Sequence, residues 1–528
     1  MSALTSSLLA AGLLASSSVL SAQQPERAVF LVRLGHDTLA VENASSLNGH
    51  FDGDLRYRTP RVRVRRSITV SSAAELEVLD ITVGAGPRGD SARVHSVFTV
   101  SGDSVDVRSD ALPAGSSRPI RSFVPRGSVP FNNLSGLTLE LILRRARAAG
   151  GDTVVVPLLI AAGQSVPMRV MRVGADSALL TIGATDIRVR TDAVGRFLGG
   201  VVPSQGVYFE RLSGDSPVAT WTPVVASYDA PAGAPYVAEQ VTVHTPAGVT
   251  LAGTLTVPVH RSGVRLPAVV LITGSGAQDR DEAIPSLGPY RPFREIADTL
   301  SRRGISVLRL DDRGIGGSSL GPPGATSANF ADDIRAAIAF LRARADVDPA
   351  RVALVGHSEG GMIAPMIAET DTLLRAIVLI AGPGKTGRAI SSGQRRYAID
   401  HDASIPAARR DSLFIARERE AETVYAQPGW VNFFANHDPL AVARRVRVPT
   451  LILQGETDTQ ITPEQASLLA AALRGGGNHD VSVRTFPRMN HLMLEDASGD
   501  FGGYGKLPSY RVRRDFLGAL ADWLAVKL

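Results

Sequence analysis

The chain is 528 residues long, 44% hydrophobic and 20% charged, with a formal net charge of +5 and no cysteine. This is a globular composition with room for two or three domains, and the missing cysteine removes disulfides, a cysteine lipid anchor, thiol catalysis and cysteine-bound zinc. The positive charge is almost entirely arginine, since only Lys385, Lys506 and Lys527 are lysines; no basic run interleaved with aromatics occurs, so nucleic acid is not an expected partner.

Residues 1–22 read as an export signal. Ser6 to Leu20 is apolar and rich in small residues, and Val19-Leu20-Ser21-Ala22 precedes the polar Gln23-Gln24-Pro25. Cleavage is expected near Ser21 or Ala22, giving a periplasmic or secreted protein. Beyond it no run of about 20 apolar residues occurs, and no membrane span is expected. Residues 23–226 are expected to form an N-terminal antiparallel β-rich domain, a sandwich or an open barrel. They are rich in Val, Thr, Ser and Arg with period-two alternation. Three stretches, Val32 to Leu39, Val100 to Val105 and Val173 to Ala178, each pair a strand with an acidic turn and a returning strand, the pattern of a hairpin. In Arg61-Val62-Arg63-Val64-Arg65-Arg66, alternation puts Arg61, Arg63 and Arg65 on one solvated strand face. No catalytic set is visible in this part.

Residues 227–235, Ser-Tyr-Asp-Ala-Pro-Ala-Gly-Ala-Pro, form a linker. Residues 236–528 then pass through a hairpin into alternating elements. Strands are expected at 267–273, 305–310, 351–356, 375–381, 449–454 and 480–486, and helices near 327–345, 359–369, 463–474 and 512–526. Such alternation makes a mainly parallel sheet with helices on both faces, and ligands bind at the carboxyl edge of its strands. An insertion at 385–446, helical over Gln394 to Ile399 and Ala407 to Val424, is expected to cap that edge. Trp430, Phe433 and Phe434 lie within it as candidates for an apolar substrate wall.

The chemistry is carried by four loops. Strand Val352 to Val355 runs into Gly356-His357-Ser358-Glu359-Gly360, the G-x-S-x-G of a nucleophile elbow: the glycines leave room for a tight strand-to-helix turn that exposes Ser358. A serine needs an acid and then a histidine downstream. Asp458 follows the strand Pro449 to Gln454, and His491 follows the strand Val481 to Phe486, so all three residues are expected at one sheet edge. Glu456 is the rival acid. An oxyanion hole needs the amide after the nucleophile, that of Glu359, and one from the loop after strand 267–273, that of Ser275 or Gly276.

These segments are similar to those of a known family. Gly274-Ser275-Gly276-Ala277-Gln278-Asp279-Arg280-Asp281-Glu282, Asp311-Asp312-Arg313-Gly314-Ile315-Gly316-Gly317-Ser318, Gly356 to Gly361, Gly455 to Asp458 and Asn490-His491 resemble the α/β-hydrolase serine esterases of the EstD type, relatives of dienelactone hydrolases and of bile-acid-CoA:amino-acid N-acyltransferase-like proteins. The resemblance covers residues 236–528. It implies an α/β-hydrolase fold and hydrolysis of short acyl esters by Ser358, Asp458 and His491, with a small-molecule ester as partner and no metal or organic cofactor.

Competing readings have weaker support. Gly382-Pro383-Gly384-Lys385-Thr386 lacks the glycine a phosphate loop requires at the position of Leu379, and Gly314-Ile315-Gly316-Gly317 lacks the third glycine of a dinucleotide fingerprint, which is Ser319. Asp279, Asp281, Glu282, Asp311 and Asp312 alternate with Arg280 and Arg313, a pattern of salt-bridged loop bracing rather than a cation site. Peptidase activity, and thioester hydrolysis or acyl transfer, would use the same triad. A binding protein whose work is done by the N-terminal domain is the reading of a different class, and an intact triad argues against it.

Overall fold

The computed structural model describes residues 24–528 apart from 35–36, 59–61, 86–90, 111–118, 162–163, 183–184, 204, 223–226, 285–286, 323 and 403–404. The expected export signal lies outside the described residues. Two sheets organise the chain, one of fifteen strands and one of eight.

The first sheet spans Glu26–Leu34 to Val207–Ser213. It is a meander, antiparallel except where Val129–Pro130 runs parallel to Thr153–Ala161, in which the first strand pairs with the last, Phe30 opposite Arg211 and Val32 opposite Phe209. Its two ends are the strands Ile120–Phe123 and Val129–Pro130. Only five residues join them, so the sheet must curl until its edges approach, as an open barrel does. Inside the curl lies a helix, Gly136–Ala149, with Leu137, Leu139, Leu141, Ile142 and Leu143 buried. It packs on Phe30, Phe197 and Phe209, the rings of the last two meeting edge to face at 6.3 Å. The three expected hairpins are present, joining Glu26–Leu34 to Asp37–Leu47, Ser91–Ser101 to Ser104–Ser109 and Gln164–Arg172 to Ser177–Ile182. Arg65 is exposed, as strand alternation dictates, and Val64 is buried. Arg66 turns inward instead and forms a buried ion pair with Glu42.

The second sheet has the order Tyr236–His244, Thr250–Pro258, Ser306–Leu310, Leu266–Ile272, Val347–His357, Ala376–Ile380, Thr450–Gly455, Val481–Phe486. The first hairpin is antiparallel and everything from Ser306–Leu310 onward is parallel. Its central strands are buried on both faces, which is why they read as continuous apolar runs. Val270, Leu354 and Leu379 pack on one side with the helices Ser327–Arg342 and Glu359–Ala368. Val269, Val355 and Ile380 pack on the other with Pro292–Ser301 and Arg514–Lys527. Between Ala376–Ile380 and Thr450–Gly455 rises the insertion, with helices Gly387–His401, Ala407–Tyr425, Trp430–Asn436 and Pro439–Ala443. No helix among the described residues is long and apolar enough to cross a membrane.

Candidate active site

Ser358 sits where strand Val347–His357 meets helix Glu359–Ala368, with φ 53° and ψ −115°. A non-glycine residue holds such a left-handed conformation only when its surroundings impose it. Both flanking glycines are required here by close approach. A Cβ on Gly356 would stand 2.0 Å from the Gly360 carbonyl oxygen, and one on Gly360 would stand 2.1 Å from that of Ile272. The turn is therefore pressed against the neighbouring strand, and Ser358 lines a cavity of about 1060 Å³.

His491 lines the same cavity. Its Nδ1 lies 2.8 Å from Asp458 Oδ2. Asp458 is 2% exposed, and its other oxygen accepts the backbone N–H groups of Gln460 and Ile461 at 2.8 and 2.9 Å. The carboxylate is thus held by its own turn and aimed at the imidazole. The rival acid Glu456 is exposed and takes a hydrogen bond from Thr485 instead. Gly455 lets the acid and histidine loops touch, since a Cβ there would lie 2.1 Å from the Met489 carbonyl. Asn490 shapes the histidine loop by accepting the amides of Leu492 and Leu494.

The loop after Leu266–Ile272 runs beside the serine. A Cβ on Gly274 would be 3.3 Å from Ser358 Cβ. Ser275 and Glu359 line the cavity, whereas Gly276, with φ +97°, borders a small depression behind it. Two of the five clustered acidic residues pair with arginines, Asp311 with Arg280 at 2.7 Å and Asp281 with both Arg291 and Arg309, while Arg313 pairs with Asp333 at 2.6 Å. Asp312 braces the loop by accepting from Thr273 and the Gln278 amide, and burial raises its pKa well above the carboxylate range.

Trp430 and Phe434 line the cavity, stacked at 5.2 Å. Phe433 does not line it; its ring stacks on His437 at 5.5 Å. In a helix, residues 430 and 434 share a face and 433 is turned away from 434 by a full step.

Three side chains do work not expected from sequence; Glu282, expected to brace its loop against an arginine, pairs with a histidine instead. His357 Nδ1 lies 2.9 Å from Glu282 Oε1, and its Nε2 lies 3.0 Å from the backbone oxygen of His491. Glu282 Oε1 also accepts the Gly274 N–H at 2.6 Å. The pair therefore ties the loop beside Ser358 to the backbone of the histidine loop. Burial opposes charge on His357, but the Glu282 carboxylate, the His491 carbonyl and Asp458 outweigh it, and its pKa is raised above 6.5. The third is Glu359, whose carboxylate accepts from Trp430 Nε1 at 2.7 Å and from Ser327 Oγ at 2.5 Å, pinning the cap to the elbow. The neighbouring G-H-S-E-G spelling was the only sequence signal, and it carries no partner.

A strand–serine–helix turn, a carboxylate-held histidine and an adjacent loop of amides on one cavity define a hydrolase-type site. Residues 269–501 match the Alpha/beta hydrolase family, and the C-terminal part of the chain has the α/β-hydrolase fold. It is 31% identical over 250 residues to Esterase EstD of Thermotoga maritima, covering 46% of this chain and 58% of that protein. It is also 29% identical over 182 residues to an uncharacterized protein of Salmonella typhimurium, covering 34% of this chain and 53% of the other. The chain thus spans under two thirds of these relatives. An esterase structure from Pyrococcus furiosus is similar to 58% of this chain over 98% of its own length, at 16% identity and a TM-score of 0.38.

Proposed function

We propose that the protein is a serine carboxylesterase acting through Ser358, His491 and Asp458. The observation that carries this reading is the 2.8 Å approach of His491 Nδ1 to Asp458 on a cavity shared by His491 and Ser358. His491 takes the Ser358 proton as its oxygen attacks the ester carbonyl, and Asp458 stabilises the imidazolium. The amides of Glu359 and Ser275, with Gly276 as the alternative second donor, hold the oxyanion; each such donor contributes about 3–4 kcal/mol to the transition state. The alcohol leaves with the proton from His491, and water then releases the acid from the acyl-enzyme. Short acyl esters are the proposed substrates on the acyl side, and the reaction needs no metal or cofactor. Export with loss of residues 1–22 belongs to the same reading, and the N-terminal sequence of the mature protein tests it.

A fluorophosphonate should label Ser358, and Ser358→Ala should abolish ester turnover with an unchanged melting temperature. Ester hydrolysis retained in Ser358→Ala would defeat the assignment. Thioester and aminoacyl-anilide substrates assayed in parallel decide between esterase, thioesterase and peptidase.

A further inference from the structure

The N-terminal domain is tethered to the active-site face of the α/β-hydrolase domain. Trp221 is fixed on the first sheet, where its carbonyl accepts from Arg56 at 3.0 Å and its ring packs with Val29, Leu31 and Val41. Ser227 is fixed on the second domain, where its carbonyl accepts from Arg291 and Arg294 at 2.9 and 2.5 Å. These residues are six apart in sequence, a stretch that spans at most about 22 Å. The next residue, Tyr228, donates to Asp279 at 3.1 Å, and its ring lies under the Arg280 guanidinium at 4.3 Å. Asp279 and Arg280 belong to the loop that runs beside Ser358. The joint is therefore clamped onto the oxyanion loop itself, and the domain cannot swing far from the site.

The turn that follows strand Phe197–Val202 then meets the cavity. Pro203, Gln205, Gly206 and Tyr208, with Leu34 opposite, form one of its walls. Gln205 and Tyr208 are exposed, so they face the space rather than the domain's own core. The remaining walls mix aliphatic, polar and aromatic residues, and the aromatic ones are over-represented. Such residues make up only 5% of the chain, yet Tyr290, Tyr425, Trp430, Phe434, Phe501 and Tyr510 all line this one cavity. At about 1060 Å³ it is at the upper end of sites that enclose a drug-sized ligand, far more than a short acyl group fills.

We propose that the N-terminal domain is a specificity element of the esterase: Pro203, Gln205, Gly206 and Tyr208 wall one side of the substrate cavity, and with the aromatic side chains around it they select esters that carry a large apolar or aromatic group. The proposal rests on the serine-esterase reading and adds the substrate class. Tyr208 supplies apolar contact area to a bulky group and touches no reacting atom, so its removal acts on KM.

The test uses the full chain with three alkyl esters of similar intrinsic reactivity: ethyl acetate, 2-(2-naphthyl)ethyl acetate and ethyl 4-phenylbutyrate. Wild type should favour at least one of the two large esters over ethyl acetate by tenfold or more in kcat/KM. Tyr208→Ala should cut that preference at least fivefold through KM. Gln205→Trp, at an exposed position, should narrow the cavity and lower kcat/KM for the preferred large ester about tenfold. Both should leave ethyl acetate within twofold of wild type and the melting temperature unchanged. If Tyr208→Ala does not fold, Gln205→Trp decides. Preferences within twofold of wild type in the folded variants would overturn the proposal while leaving the esterase reading intact. A wild type that hydrolyses none of the three and leaves Ser358 unlabelled by fluorophosphonate would overturn that reading and this one together.

Discussion

His357 and His491 stand ring to ring at 4.9 Å, and their partners give them different work. His491 has a carboxylate on Nδ1 and the cavity on its other side, the arrangement of a base. His357 has an acceptor at each nitrogen, Glu282 and a backbone carbonyl, so both nitrogens donate and neither is available for proton transfer. It acts as a strut that carries the charge of a buried ion pair. Its raised pKa makes it a stabilising group below its ordinary value near 6.5, and that contribution is lost as pH rises through the higher folded value. Glu282→Gln should therefore lower the melting temperature most at pH 5–6, and the gap to wild type should close as pH rises beyond the usual histidine range. The same variant loosens the link between the Gly274 loop and His491. Steady-state kinetics should show kcat reduced about 10- to 100-fold, the scale of a small misplacement of reacting groups, with KM little changed.

The elbow is an element defined by what it excludes. Gly360→Ala would drive a methyl into the Ile272 carbonyl, forcing the helix Glu359–Ala368 off the sheet. Denaturant unfolding should register a loss of about 1–3 kcal/mol, and fluorophosphonate labelling of Ser358 should slow by far more than that loss explains. Other elements differ in how legible they were. The strands of the second sheet appear within a residue or so of their expected ends, except that Tyr236–His244 begins three residues early and Val347–His357 four. Helix Pro292–Ser301 was not expected, although its signals are present: proline at its first turn and burial of Phe293, Ile296, Ala297 and Leu300 at helical spacing. Helix Gly136–Ala149 is harder to see. It is buried on nearly all sides over its first half, so it shows no polar face to set a period, and it interrupts a sequence otherwise patterned for strands.

At the scale of the molecule, the curled first sheet holds its helix through one buried charge cluster. Glu42 and Arg66 pair with side chains fully out of solvent. Glu42 also accepts the Leu137 N–H at 3.0 Å and the Ser135 hydroxyl at 2.9 Å, so its charge lies at the helix N-terminus. Neutralising one partner strands the other without its countercharge. Glu42→Gln should destabilise the N-terminal domain by about 3–5 kcal/mol, seen by calorimetry as a lowered transition for that domain, with the labelling of Ser358 retained in the α/β-hydrolase domain below that transition.

Sequence alone determined the class of the second domain and the identity of its nucleophile, base and acid candidates, because strand, loop and chemistry are local and their order along the chain is constrained by parallel topology. It also pointed to the hairpins of the first domain. It did not reveal that Arg66 is buried, that Glu282 and Glu359 brace the site through His357 and Trp430, that Phe433 faces away from the cavity, or that residues near 205 reach it. The charged contacts among these depend on partners 24 to 95 residues away in the case of Glu42, and 32 to 134 in the case of Glu359 and His357. Contacts between segments that far apart leave no periodicity and no spacing in the chain. Only the way distant strands, loops and helices fold onto one another decides them.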